Sequence, residues 1–393
     1  MNEIQISTVR SNGDLQDFIQ FYYDLYRECE QAVPFLRQDE VNTLDRSRNS
    51  SFDFCDAEYY LARRDGRVVG RVAAIINRRA NEKWQKKQVR FGWFDFIDDP
   101  AVSKALLEAV ADYGRRHGMT EIAGPLGFTD MDREGMLIEG FDRLATMYVY
   151  YNYPYYPRHI ESLGGYEKDN DWWEYRIKVP EVTPEKFAKT SQMIERRYNL
   201  HAHKFTRHQL LKEGMGRRVF EILNETYKDL YDFQPLSDNQ IDQYVDTYIK
   251  MADLNLVTAV VDKNVKPGEE GYETCLGGKM VGFGVSFPSM SQALRKTRDG
   301  RLLPFGWWHL LRVLKSHNTD TVDLVLIGVL PEYRSKGANA IIFSDLIEWY
   351  RRYGFKWAEA MPQMESNTGV RSQWQYLESE VHRKRRCYRK DLL

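Results

Sequence analysis

The feature that most constrains this chain is an internal repeat, because a repeated order of elements implies two copies of one fold. Similar short stretches recur in the two halves: YYDLY at 22–26 and YKDLY at 227–231, then YGRRHG at 113–118 and WYRRYG at 349–354. The glycines that end the second pair suit helix C-caps, where a left-handed backbone is favoured. We therefore predict that the chain builds the same unit twice.

Both halves show the same predicted order, in which a helix is followed by a hairpin and then by alternating strands and helices. In the first half, Asp65-Gly66 between alternating strands is a strong hairpin signal. The second half has a longer Gly-rich connection at 264–278. The order predicts an α+β fold, with a mixed sheet flanked by helices. We predict one domain at 1–180, a connector with its own helix at 181–199, and a second domain at 200–393.

The halves differ at the loop after the fourth strand of each. In the second half, the apolar strand 322–329 runs into a loop with Arg334, Lys336 and Gly337, and a helix pattern follows. The first N–H groups of a helix have no partner inside the helix, and the helix dipole places positive charge there. This loop is therefore predicted to bind a phosphate or pyrophosphate. The first half has the acidic sequence DDPAVS at 98–103 instead, which predicts a retained fold and a lost anion site.

The element order, with Arg334-Ser335-Lys336-Gly337-Ala338 after the fourth strand, resembles the GNAT superfamily of acyl-CoA N-acyltransferases in a tandem arrangement with a degenerate N-terminal copy. In that family the pattern is Gln/Arg-x-x-Gly-x-Gly/Ala, and its backbone N–H groups hold the pyrophosphate of coenzyme A. Asn339 stands at the final small-residue position, where it could crowd the phosphates or donate a hydrogen bond. The resemblance covers residues 200–393, whereas residues 1–180 match in element order only.

The resemblance implies acetyl-CoA, or another acyl-CoA, as the cofactor. The residues implied to bind it lie at the strand end, in the loop and after the fifth strand: Ile327, Gly328, Val329, Arg334, Ser335, Lys336, Gly337, Ala338, Asn339, Ala340 and Asn367. Tyr376 is the candidate to protonate the leaving thiolate, although Trp374 stands at the expected spacing. Glu365 and Asp323 are the candidate bases, and no metal site is expected.

The predicted function is an N-acetyltransferase that acylates a primary amine of a small molecule or peptide, with the N-terminal half as a pseudo-domain that shapes the acceptor site. Two alternatives stay open. One is an aminoacyl-tRNA-dependent transferase of the same fold, in which the basic tail 382–390 would contact RNA. The other is a non-catalytic ligand-binding protein in which Asn339 marks a decayed cofactor site. As a solvated edge strand, the same tail would instead discourage aggregation.

Composition limits the classes of binding partner and the cellular compartment that we expect for this chain. A net charge of −1 gives no global case for nucleic acid or an acidic membrane. The four cysteines are scattered without Cys-x-x-Cys or zinc spacing, which favours reduced thiols and a cytoplasmic location. No apolar run approaches the ~18 residues of a membrane span, so no membrane partner is expected. His201, His203 and His208 are spaced closely, but no acid or cysteine accompanies them at ligand spacing.

Two aromatic stretches each allow two interpretations. The tyrosine-rich run 148–157 either packs in the core and between domains or lines a substrate pocket. Trp307-Trp308 either belongs to a helix that shields the acyl site or is core.

Overall fold

Strands from both halves join in a single mixed sheet in the computed structural model, which describes residues 3–392 apart from the side chains at positions 186, 368, 370 and 372. The first half contributes β1 Gln5–Thr8, β2 Cys55–Arg64, β3 Arg67–Asn77, β4 Gln88–Phe96, β5 Glu121–Gly124, β6 Met136–Glu139 and β7 Glu167–Lys178. The second contributes β8 Leu200–His203, β9 Val257–Asp262, β10 Lys279–Pro288, β11 Thr321–Val329, β12 Trp357–Ala360, β13 Gln363–Met364 and β14 Ser379–Asp391.

Helices cover both faces of this sheet. Those of the first half and the connector are α1 Asn12–Leu25, α2 Arg37–Leu44, α3 Arg78–Lys83, α4 Pro100–Arg116, α5 Tyr155–Ser162 and α6 Glu185–Tyr198. Those of the second half are α7 Arg207–Lys212, α8 Met215–Tyr227, α9 Asp238–Tyr244, α10 Ser291–Leu294, α11 Gly306–Ser316, α12 Pro331–Arg334, α13 Ala338–Arg352 and α14 Thr368–Arg371. A π-helical turn at Val245–Ile249 extends α9, and a 3-10 turn at Ser372–Tyr376 follows α14.

The repeat read from the sequence is confirmed in the strand pairing. Each half has an antiparallel hairpin, β2–β3 or β9–β10, and the first turns at Asp65 and Gly66 with φ of 50° and 75°. The next strand, β4 or β11, carries a register shift against the hairpin. In the first half β4 then pairs in parallel with β5, and α4 forms the crossover between them. In the second half β11 pairs in parallel with β12, and α13 forms the crossover. Both halves therefore share one topology.

The last strand of each half lies in the middle of the sheet. The strand order is β1-β2-β3-β4-β5-β14-β7-β12-β11-β10-β9-β8, so β14 pairs with β5 of the first half and β7 pairs with β12 of the second. The strands of each half are thus extended by the last strand of the other half. The division at 181–199 remains a prediction.

The position of β14 overturns the interpretation of the basic tail as a solvated edge strand. Arg383 and Arg385 are fully buried and both bond Glu174 of β7, at 2.7 and 2.6 Å. Burial alone would raise the pKa of Glu174, but the two guanidiniums outweigh it and hold the pKa at about 2. The edge-strand interpretation was therefore wrong, because alternate cations of the tail face a buried acid inside the sheet.

Two hydrophobic cores lie in the two halves. The first-half core also takes in Met290, Leu294, Leu310 and Val313 from α10, α11 and the turn before them, so this segment of the second half packs on the first. The second core fills the space between α8, α13 and the strands β9–β11. Within residues 3–392, no helix is both long and apolar enough to cross a bilayer.

Candidate acyl-donor and acceptor sites

The site begins where β11 and β12 part. Their parallel pairing runs from Thr321 with Trp357 to Leu324 with Ala360 and stops there. A bulge in β11 follows, at Val325. On β10 the adjacent residues Ser286 and Val285 pair with Leu324 and Leu326, so Val325 between them has no partner on β10. The remaining residues of β11, up to Val329, keep β10 on one side and have no strand on the other. A strand edge of this kind can pair with an extended ligand that carries amides.

Side chains already satisfy the carbonyl groups along this open edge. The Tyr227 hydroxyl donates to the Ile327 carbonyl at 3.1 Å, and Arg334 Nε donates to the Val329 carbonyl at 3.1 Å. Because a residue in a strand directs its N–H and C=O to the same side, the N–H groups of Ile327 and Val329 face the gap as well. The open edge therefore offers donors. Gly328 lies between them and is tightly enclosed, since an added Cβ would lie 2.9 Å from the ring of Phe283.

Arg334 has a different role from the one its charge suggested. Besides Val329, it bonds the Thr226 carbonyl at the end of α8 through Nη2 at 3.0 Å. The guanidinium thus ties the end of β11 to the end of α8. In this arrangement it shapes the loop, and two of its three nitrogens already have partners.

The start of α13 lies directly beyond this loop. Gly337 has a φ of 80°, a left-handed backbone that favours glycine, and an added Cβ would lie 2.9 Å from the end of the Ile194 side chain of α6. No side chain caps the first turn, which contains Ala338, Asn339 and Ala340. Lys336 lies over the Tyr333 ring at 4.1 Å, with the exposed Ser335 beside it. An uncapped N-terminus of a helix this long, next to a lysine, suits a pyrophosphate.

The corresponding place in the first half is closed. Asp99 caps α4 by accepting from the Ala101 N–H at 2.9 Å, and a hydrogen bond from Arg64 lowers the pKa of Asp99. At the end of β4, Tyr156 and Tyr155 of α5 bond the N–H and the carbonyl of Phe96, at 3.3 and 2.6 Å. The tyrosine-rich run thus packs against β4 and fills the gap that stays open beside β11.

A buried carboxyl group lies on β11 two residues before the bulge. Asp323 is only 1% exposed, and neither of its oxygens accepts a hydrogen bond of good geometry from the described residues. Burial, and then the like charge of Glu359 beside it on β12, raise the pKa of Asp323 to about 8. The strand register places it on the face that carries Phe287, which is also the face toward α8. Such a carboxyl can exchange a proton near neutral pH.

Tyrosines lead from Asp323 toward the surface. The charge of Asp323 contributes to a raised pKa of Tyr148, after burial, and Tyr248 is the next contributor. Tyr248 is 43% exposed. Tyr148 therefore lies near both Asp323 and Tyr248, and Tyr248 reaches the surface with an apolar face and a polar tip.

A second group of acids lies on the other side of Tyr227. Burial, and then the charge of Asp232, raise the pKa of Asp130 to about 8, and the Asp130 charge in turn raises the pKa of Tyr227, after burial. Asp232 pairs with the buried Arg90 at 2.6 Å. Glu134 also has a pKa well above its ordinary value because of burial and then Asp130. Asp130 and Glu134 come from the first half and Asp232 from the second, so this acidic group lies where the two halves meet.

The predicted catalytic residues lie elsewhere. Glu365 is half-exposed and forms ion pairs with Lys168 of β7. Tyr376 is 44% exposed and contacts the ring of Phe187 on α6, whereas Trp374 points inward and donates to Gln363 at 2.9 Å. Asn367 precedes α14 and accepts from the Arg371 N–H at 3.2 Å. Their roles remain predictions, and of the two bases named from the sequence Asp323 is the buried one.

Sequence reasoning did not assign Tyr227 or Asp130 to the site. Tyr227 was noticed only as part of the YKDLY repeat, and its bond to Ile327 spans residues far apart in the chain. Asp130 lies in the stretch TDMDRE at 129–134, whose density of acids just after β5 was the one available signal. The described part of the chain holds no group of three His, Cys, Asp or Glu side chains able to bind a metal ion.

Known proteins resemble this chain along nearly its whole length. No family model matches the chain. It is 27% identical to Protein YghO of Escherichia coli strain K12 over 394 residues, covering 98% of this chain and 95% of that protein. It is 23% identical to the bacterial ceramide synthase of Caulobacter vibrioides over 387 residues, covering 93% and 94%.

Two solved structures match over nearly their whole length. A tandem GNAT protein from the clavulanic acid biosynthesis pathway superposes with a TM-score of 0.58 at 12% identity, covering 100% of this chain and 99% of that one. A GCN5-related N-acetyltransferase from Sphaerobacter thermophilus has a TM-score of 0.51 at 13% identity, covering 99% and 96%. The chain therefore has two copies of the GNAT fold in tandem, and the α+β architecture predicted from the sequence is confirmed.

Proposed function

We propose that the chain is an acyl-CoA-dependent N-acyltransferase with one working donor site, in its second half. The observation that carries this proposal is the open edge of β11, which leads straight to the uncapped start of α13. Donor N–H groups along a strand edge suit the amides of a pantetheine arm, and the helix start suits a pyrophosphate. The fold similarity supports the same donor.

The residues present fit an acyl-CoA. Ile327, Gly328 and Val329 would hold its extended arm, and the loop from Arg334 to Ala340 would hold its phosphates. When bound, it would supply an acyl group activated as a thioester. The backbone N–H groups at the β11 bulge would polarise the acyl carbonyl. Asn339 stands within the first turn of α13, where its amide is free to donate toward a phosphate.

The acceptor would enter between the halves and meet Asp323. Its nitrogen must lose a proton as the new amide bond forms and the carbon–sulfur bond breaks. An Asp323 oxygen would take that proton, and the departing thiolate would need one in return. Tyr227, at the open edge, is a candidate to return it, alongside the predicted Tyr376. Asp130 and Glu134, whose raised pKa values favour the neutral carboxyl near pH 7, would offer the acceptor hydrogen-bonding groups where the halves meet.

We propose further that the acceptor is a primary amine with a long apolar chain. The support is the relative named a bacterial ceramide synthase, which matches along almost the full length of both chains. A ceramide is by definition the N-acyl derivative of a long-chain amino alcohol. The aromatic rings of Tyr148 and Tyr248 near Asp323 would accommodate such a molecule better than a polar peptide.

The first half would act as a pseudo-domain. The start of α4 is capped by Asp99, and the gap beside β4 is filled by tyrosines. The first half nevertheless contributes Asp130 and Tyr148 to the region where the two halves meet. The tRNA-dependent alternative loses the observation that raised it, because Arg383 and Arg385 of the tail are buried and paired.

Acceptor choice is tested by incubating the protein with acetyl-CoA or a long-chain acyl-CoA and a panel of amines, and detecting amide products by mass spectrometry. A long-chain amino alcohol should be acylated at least about tenfold faster than its short-chain homologue, since each buried methylene adds roughly 0.8 kcal/mol of binding. Equal rates for the two, or a preference for peptide amines, would contradict the long-chain acceptor while leaving acyl transfer intact. No product with any amine would contradict the activity itself.

A further inference from the structure

The connection between β10 and β11 carries an exposed apolar tip. In the first half the matching connection, 78–87, is short and contains only α3, whereas here residues 289–320 intervene. At the turn into α11 this segment exposes large apolar side chains to solvent: Leu302 at 39%, Leu303 at 77%, Phe305 at 74%, Trp307 at 45%, Trp308 at 54% and Leu311 at 36%. The pair of tryptophans is therefore not part of a core. Contiguous exposure of this kind marks an interaction surface.

Cations surround the tip. Arg295, Lys296, Arg298 and Arg301 precede it and Arg312 and Lys315 follow it, all six exposed. None of the six forms a salt bridge with any residue that the structure describes. The acid of this stretch, Asp299, is instead engaged with Arg27, just after the end of α1, at 3.3 Å. The surface thus combines aromatic and aliphatic side chains with uncompensated positive charge.

The base of the tip is firmly held. The Arg37 N–H bonds the Gly300 carbonyl at 3.0 Å, and Gly300 packs so closely on Phe35 that no side chain would fit. On α11, Leu310 and Val313 point into the first-half core while Trp307, Trp308 and Leu311 point away from it. The apolar side chains therefore project from a fixed platform and do not belong to a loose loop.

We propose that this tip docks the protein on the surface of an anionic phospholipid bilayer. Tryptophan, phenylalanine and leucine inserted at the headgroup level, within a ring of arginine and lysine, are the features of interfacial membrane binding. The charge is complementary to acidic lipids, which attract each nearby cation. This binding mode is peripheral, and it differs from the expectation, drawn from net charge and the lack of an apolar span, that there is no membrane partner.

The connection that carries the tip begins beside the proposed catalytic base. It leaves the sheet at Pro288, which pairs with Val322, so its first residue lies next to Asp323 in the sheet. Membrane docking itself does not depend on the acyl-transfer activity.

The test is co-sedimentation of the full chain with vesicles of phosphatidylcholine, with and without about a quarter phosphatidylglycerol. We expect binding to the anionic vesicles that weakens as salt is raised, and at least about tenfold less binding for Leu303→Ser/Phe305→Ser and for Arg298→Glu/Arg301→Glu. The matched control is Val182→Ser/Met193→Ser, which removes two side chains that are 74% and 55% exposed near the basic face of α6.

Three results would overturn the proposal. The first is no sedimentation with anionic vesicles, and the second is sedimentation unchanged in both tip variants, with thermal melting showing that they are folded. The third is a concentration-dependent dimer that the tip variants abolish in the absence of vesicle binding, which would make the tip a contact between copies of the chain. Loss of binding in the α6 control alone would also contradict it.

Discussion

Asp323 shows how burial gives a single residue a possible function. An aspartate with ordinary solvation is a carboxylate at neutral pH, but Asp323 is buried, forms no salt bridge with the described residues and lies beside Glu359, and these effects outweigh the charge of Arg383. The neutral form is therefore favoured up to about pH 8. A proposed base with this pKa would be only partly available at neutral pH.

The rate of acyl transfer should consequently rise with pH and level off above about 8, where Asp323 is deprotonated. Asp323→Asn should lower kcat at least about a hundredfold and remove this limb of the profile, while any limb contributed by the acceptor amine persists. The measurement is kcat against pH for both proteins. Asp320→Asn, an exposed acid just before the same strand, is the control. An unchanged profile in Asp323→Asn would reject Asp323 as the base.

Single residues were predictable where backbone geometry dictates them. Gly337 and Gly66 could be identified because a left-handed backbone selects glycine. Asp323 was named among the bases from its place on the fourth strand, but its burial was not visible. Tyr227 was missed because its hydroxyl meets Ile327 only after folding.

At the scale of the element, β14 is the strand whose sequence misleads most. A run of arginine and lysine normally indicates a solvated face, yet Arg383 and Arg385 here face the buried Glu174 inside the sheet. The sequence pattern records charge and alternation but not the strand that will lie alongside. Pairing with β7 turns an apparent edge into the centre of the sheet.

Glu174→Gln should therefore destabilise the fold strongly, by about 3–5 kcal/mol, because it leaves two buried guanidiniums without their shared counter-charge. Glu378→Gln, in an exposed pair with Lys178, should change stability by about 0.5 kcal/mol or less. Urea unfolding measures both. Since the pKa of Glu174 is lowered in the fold to about 2, its contribution is complete above the unfolded pKa and is lost as pH falls from there toward 2. A small effect of Glu174→Gln at neutral pH would contradict this account.

The starts of α4 and α13, the corresponding helices of the two halves, could by contrast be predicted from the sequence. The acidic DDPAVS and the glycine-containing loop predicted different helix starts, and the structure has a side-chain cap on α4 and none on α13. Capping is local, so it can be predicted from neighbouring residues. The filling of the β4 gap by Tyr155 and Tyr156 is not local and was only one of two interpretations.

At the scale of the whole molecule, the internal repeat made the fold of each half predictable. It did not predict that the last strands, β7 and β14, would each pair with a strand of the other half. Element order is recorded in the sequence because hydrophobic period and turn residues are local. Which strand will pair with which is not recorded in this local way. The sequences of β7 and β14 therefore gave no sign that each strand would pair with the other half. This exchange is also what brings Asp130 of one half close to Tyr227 of the other.

The central claim is one acyl-CoA site per chain, at the start of α13. Isothermal titration with CoA and acetyl-CoA tests it most directly, using Gly337→Ala and the matched Gly354→Ala. Both glycines have a positive φ, 80° and 77°, but only at Gly337 does an added Cβ meet a neighbour. We expect one site per chain, at least about tenfold weaker binding in Gly337→Ala, and unchanged affinity in Gly354→Ala. Absence of binding, two sites per chain, or equal affinities in the two variants would contradict the account.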